Sequence, residues 1–102
     1  MDTTTILKHL KIAKERYKPE GFIIKALFGS YSRGEQTPQS DVDVLVEATP
    51  KFANKYGFNS IKRINEIQKE LSKTIGLKVD LADSSGMGQT AQKFIINRAI
   101  YV

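Results

Sequence analysis

A chain of 102 residues, 40% hydrophobic and 26% charged, has room for one core and not two, so a single domain over residues 1–102 is expected. It has no cysteine, which excludes a disulfide framework and a thiolate metal site. It also has no run of about 18 apolar residues to span a bilayer and no apolar signal-peptide centre near its start, so a cytoplasmic setting without a membrane partner is expected, while the net charge of +5 draws an anionic partner without choosing among nucleotide, RNA and acidic protein.

Asp2 is placed to cap a helix whose apolar positions Ile6, Leu10, Ala13 and Tyr17 recur at helical spacing, which predicts a helix over 3–17 closed by Pro19 and Gly21. The run FIIKALF, Phe22 to Phe28, is apolar at nearly every position, as a strand covered on both faces would be, and it ends at Gly29. DVDVLVEA, Asp41 to Ala48, is a second strand rich in β-branched valines, with Pro38 and Ser40 punctuating the loop before it. The passage containing Pro50, Asn54 and Gly57 reads as turns. Ile61, Ile64, Ile67, Leu71 and Ile75 then form one helical stripe ended by Gly76. On its outer face Lys62 with Glu66, and Glu70 with Lys73, lie one turn apart. LKVDLA, Leu77 to Ala82, is a third strand, DSSGMG a loop, and residues 89 to 99 a closing helix. This order implies an α/β (α+β) fold in which a small mixed β-sheet is backed by helices on one side.

The chemistry concentrates in the second strand. Successive side chains of a strand point to opposite faces, so Asp41 and Asp43 share one face and Val42 and Val44 the other. Two adjacent carboxylates repel unless a cation offsets them, and Mg²⁺, an oxygen-seeking ion that keeps waters and substrate phosphates in its shell, is the natural partner. Asp80 is a third acid in an otherwise apolar strand. Should that strand pair beside the second, three carboxylates meet, enough to hold two Mg²⁺ ions for phosphoryl or nucleotidyl transfer. Gly29 and Ser30 end the first strand and open a short helix through Arg33, whose backbone N–H groups can meet phosphate. Arg33 is either an extra phosphate contact or the partner of Glu35.

Other motifs fail. Gly29 and Gly34 have Walker A spacing, but Glu35 and Gln36 stand where Lys and Ser or Thr are required. Leu45 and Val46 replace the ligand and glycine of a calcium loop beginning at Asp41. His9 has no companion ligand and reads as solvated. Lys8, Lys11, Lys14, Arg16 and Lys18 trace the outer surface of the first helix, usually a solvated face. Tyr31 and Tyr56 look exposed near the site and either stack on a base or pack.

Gly29-Ser30, ten intervening residues, then Asp41-Val42-Asp43 resembles the signature of the DNA polymerase beta-like nucleotidyltransferase superfamily, GS, ten residues, then DxD. The small size and the later KVDLAD look like its minimal nucleotidyltransferase subfamily, typically the antitoxin half of prokaryotic HEPN/MNT toxin–antitoxin pairs, and the likeness runs through nearly the whole chain. The resemblance implies a polymerase beta palm-like fold in which Gly29 and Ser30 hold the triphosphate, Asp41 and Asp43 ligate both metals, and Asp80 ligates the catalytic metal and helps activate the attacking hydroxyl. It implies an enzyme that transfers a nucleoside monophosphate, AMP from ATP, to a tyrosine of a HEPN ribonuclease toxin, with which it forms a hetero-oligomer. A second reading is a binding antitoxin that neutralises its partner by occlusion. A nucleic-acid-binding module is disfavoured, since aromatic-basic interleaving and a helix-turn-helix pattern are both missing.

Overall fold

A computed structural model of the chain describes residues 2–86 and 99–102. Helix α1 is Thr3–Tyr17, with the Asp2 carboxylate accepting the Thr5 N–H at 2.9 Å as the N-cap. Strand β1 (Phe22–Phe28) leads into the one-turn helix α2 (Ser30–Arg33), and β2 (Val42–Ala48) follows. Helices α3 (Pro50–Tyr56) and α4 (Ser60–Ile75) then precede β3 (Val79–Asp83) and the short β4 (Ile100–Tyr101). The strands form one mixed sheet in the order β3-β2-β1-β4, with β2 and β3 parallel and the other pairs antiparallel. The expected mixed sheet with helices packed on one face is what the chain adopts.

The core lies between that face and the helices. Ile6, Leu10, Ala13 and Tyr17 of α1 and Ile67, Leu71 and Ile75 of α4 meet Phe22, Ile24, Leu27, Val42, Val44, Val46 and Val79 of the sheet. Burying each large aliphatic side chain contributes about 1.5–3 kcal/mol, and the stripe on each helix is what directs it there. The near-continuous apolarity of FIIKALF has a particular cause. The β1/β2 register shifts at Lys25, with Ile24 opposite Val46 but Ala26 opposite Leu45. One extra residue reverses the alternation, so Phe22 and Ile24 before the shift and Leu27 after it reach the same core.

Several boundaries differ from the sequence reading. Residues 50–56 are helical, not turns: Pro50 occupies the first turn, where its missing N–H costs nothing, and Phe52 is fully buried against Phe22, ring centroids 5.4 Å apart. Asp41 falls just before β2, and β3 starts at Val79 and ends at Asp83 rather than Ala82. The closing helix expected at 89 to 99 lies almost wholly outside the described residues, and Ile100–Tyr101 beyond it pairs with β1. Glu70 is engaged by Tyr17 and Arg63 rather than by Lys73, and Glu66 by Arg63 rather than by Lys62.

That arginine organises a polar seam along the helical layer. Arg63 makes a two-pronged contact with Glu20, both bonds 2.8 Å, and reaches Glu70 at 3.1 Å. Tyr17 donates to Glu70 at 2.6 Å and Tyr56 donates to Glu20. Hydrogen bonding to the guanidinium holds the Glu20 carboxyl down at about 2, and burial with the bond to Glu70 pushes the Tyr17 phenol up to about 12. The seam ties α1, α3 and α4 and the turn before β1 into one layer.

Candidate active site

The sheet register builds the site where β1 ends and β2 and β3 begin. Phe28, the last residue of β1, lies opposite Asp43, and Asp43 is the parallel ladder partner of Asp80. Paired positions on neighbouring strands, about 4.8 Å apart, send their side chains to one face, so the two carboxylates stand side by side. Burial, then Asp80, then Asp41 raise the Asp43 carboxyl above its ordinary value, while Arg33 acts in the opposite sense. The three acids singled out from the sequence therefore meet at Asp43, even though 36 residues of chain lie between Asp43 and Asp80.

Gly29 fits against Asp43 as no other residue could. Its φ of 75° and ψ of −153° lie in a region open essentially to glycine alone. A Cβ there would stand 2.2 Å from Asp43 Oδ2. The Gly29 carbonyl accepts the Ser32 hydroxyl at 2.8 Å and the Ser32 N–H at 3.2 Å, which pins the turn into α2. Ser30, half-buried, opens that helix.

Arg33 pairs with Glu35, Nε to Oε2 3.1 Å, at an exposed position. Of its two sequence readings, the structure shows the pairing with the local acid. Asp41 meets Lys78, Oδ2 to Nζ 3.7 Å. Tyr31 is buried in the core and Tyr56 is half-buried on the Glu20 seam, so both looked more exposed in the sequence than they are. His9, read as solvated, is half-buried and lines a groove between α1 and α4 with Ile12, Arg16 and Thr74.

Two residues that sequence reading missed hold the site from behind. Gln68 donates to the Val79 carbonyl at 2.8 Å and the Ser72 hydroxyl accepts the Val79 N–H at 3.0 Å. They satisfy the outer edge of β3 one residue before Asp80 and so fix its register. Their only sequence signal is polarity on a helix face, which is common. Lys78, two residues before Asp80, was visible in KVDLAD but carried no pattern.

The donor set suits a hard divalent cation. Among the described residues no three acidic or histidine side chains form a ready-made cage for a metal ion, but Mg²⁺ is usually bound by one or two carboxylates with waters and substrate phosphates completing its shell. A partly buried carboxyl crowded by two like charges is the group a dication would relieve.

A family model described as a nucleotidyltransferase domain matches residues 6–102. The chain belongs to the nucleotidyltransferase domain family. This nucleotidyltransferase-family chain is 40% identical over 96 residues to a protein of Methanocaldococcus jannaschii provisionally named a protein adenylyltransferase, a match covering 93% of this chain and 88% of that one. It is 32% identical over 94 residues to the protein adenylyltransferase MntA of Thermococcus cleftensis, covering 92% and 85% of the two. Among solved structures, one provisionally described as a minimal nucleotidyltransferase superposes with a TM-score of 0.77 at 22% identity over 100% of this chain and 97% of that one. A toxin–antitoxin structure with AMP-PNP gives 0.65 at 22% identity over 99% of this chain and 72% of that one. At that identity the two structures establish the fold. Fold and family thus agree with the reading from Gly29-Ser30 and Asp41-Val42-Asp43.

Proposed function

We propose that this chain is a Mg²⁺-dependent protein adenylyltransferase that moves AMP from ATP to a tyrosine hydroxyl of a HEPN-type toxin and thereby acts as its antitoxin. The observation that carries the reading is the ladder pairing of Asp43 with Asp80 beside a glycine whose Cβ position abuts the Asp43 carboxylate. The names of the adenylyltransferase relatives and the AMP-PNP in the toxin–antitoxin neighbour support the donor and the class of partner.

Asp41 and Asp43 would hold both ions and Asp80 the one at the reacting centre; when bound, the ions supply charge neutralisation for the triphosphate and a more acidic hydroxyl. Gly29 and Ser30 present backbone N–H groups and a hydroxyl to the phosphates. Asp80 orients the attacking tyrosine and takes up its proton. The tyrosine oxygen bonds to the α-phosphorus as the bond from that phosphorus to the bridging oxygen breaks, and pyrophosphate leaves with the electron pair. Arg33, exposed and paired with Glu35, would exchange that partner for a phosphate oxygen.

The test is intact-mass analysis of the neighbouring-gene protein after incubation with this chain, Mg²⁺ and each nucleoside triphosphate. One or more AMP units added by the wild type and none by Asp43→Asn is the expected result. Tight complex formation by both forms with no added mass would replace transfer by occlusion.

A further inference from the structure

We propose that Lys78 is a further substrate-positioning residue, which neutralises Asp41 until divalent cations take that carboxylate and then passes its ammonium to the polyphosphate. The assignment rests on the nucleotidyltransfer reading of the site.

Lys78 has a fixed backbone and a free head. Its carbonyl accepts the Val42 N–H at 2.9 Å, so its Cα is locked beside the start of β2, one residue before Val79, the ladder partner of Val42. Its side chain is 68% exposed and meets Asp41 Oδ2 at 3.7 Å. An exposed pair at that separation contributes about 0–1 kcal/mol, too little to resist a dication for the same carboxylate. The displaced ammonium stays within one side-chain length of Asp41 because the main chain cannot move away. The nearby guanidinium of Arg33 already has Glu35 as partner. Between these two described cations Lys78 has the longer and weaker pairing, and lysine acts on phosphate as a point charge that needs no fixed orientation. Polyphosphate brought in by the cations carries excess negative charge, which an ammonium on this rim offsets.

The two halves of the role predict shifts of opposite sign. In Lys78→Met the free chain loses a competitor at Asp41, so Mn²⁺ binds about threefold more tightly, read by electron paramagnetic resonance or calorimetry without nucleotide. With saturating Mg²⁺ the same variant binds α,β-methylene-ATP, which cannot transfer AMP, about five- to tenfold more weakly, in line with one lost charge-assisted contact. Lys78→Arg keeps both affinities near the wild type, and circular dichroism and the melting temperature verify the fold of each variant. Unchanged affinities, or changes of the same sign, overturn the proposal for Lys78. Should the wild type itself bind neither Mn²⁺ nor the nucleotide analogue, it is the nucleotidyltransfer reading that fails.

Discussion

Replacing Gly29 by alanine tests whether the site is held together by a backbone-to-carboxylate fit. Two costs follow from the geometry. A φ of 75° with ψ of −153° is strained for an L-residue by about 1–3 kcal/mol. The added Cβ, 2.2 Å from Asp43 Oδ2, drives that carboxylate back by more than about 1 Å to reach ordinary contact, at about 0.5–1.5 kcal/mol of rotamer strain. The sum, about 2–4 kcal/mol, lowers the melting temperature by about 4–8 °C per kcal/mol in a domain of this size. Gly34→Ala is the control, since Gly34 also has positive φ, 71°, but nothing within 4 Å of its Cβ position; it costs about 1–2 kcal/mol. The decisive measurement is a double-mutant cycle by urea unfolding. In an Asp43→Ala background the oxygen is gone and the Gly29→Ala penalty falls by about 1 kcal/mol. Additivity within about 0.5 kcal/mol would show that the contact with Asp43 carries no energy and refute the fit. Transfer activity of Gly29→Ala falls about 100-fold, because a displacement near 1 Å at a reacting centre costs about that much.

Other substitutions probe the charges and the scaffold. Burial and two like charges raise the Asp43 carboxyl, so the folded chain binds its proton more tightly than the unfolded chain, and stability is given up as pH rises from about 3.9 through the raised value. Asp43→Asn therefore melts a few degrees higher than the wild type at pH 7 in EDTA, an advantage that closes below pH 4, while transfer drops about 10³-fold; equal melting at pH 7 contradicts it. The Glu20 carboxyl is held near 2 from an ordinary 4.5, so its contribution, about 2–3 kcal/mol, is complete above 4.5 and disappears as pH falls toward 2. Acid titration by circular dichroism should show Glu20→Gln with a flatter profile over that window, and an unchanged slope would be inconsistent with the pairing. Arg63→Ala, which leaves two carboxylates facing a partly buried seam, should cost about 3 kcal/mol in urea unfolding, and a loss under 1 kcal/mol would reduce the seam to a surface feature. Ser72→Ala leaves the Val79 N–H unpaired and costs about 1–3 kcal/mol, with faster hydrogen exchange at Val79 and Asp80 as its local signature.

Much of the molecule was legible from sequence alone because it depends on local rules. Helix α1 is read from Asp2 and four apolar positions, α4 from its isoleucine stripe and Gly76, and β1 from its run of apolar residues, since capping, periodicity and β-branching act over a few residues. The spacing of Gly29-Ser30 from Asp41 and Asp43 carried the resemblance to the nucleotidyltransferase family, which the family match bears out, because the whole pattern falls within 15 residues. Tertiary structure decided the rest. The register shift at Lys25 depends on which β2 residue Ile24 meets, and α3 depends on whether Phe52 finds Phe22. Asp80 becomes the partner of Asp43 only through a parallel ladder that α4 must first bridge, with Gln68 and Ser72 setting the register. Glu20, Arg63 and Glu70 show no local pattern at all; their pairing exists because three helices converge on one core, and burial makes each charge need the others.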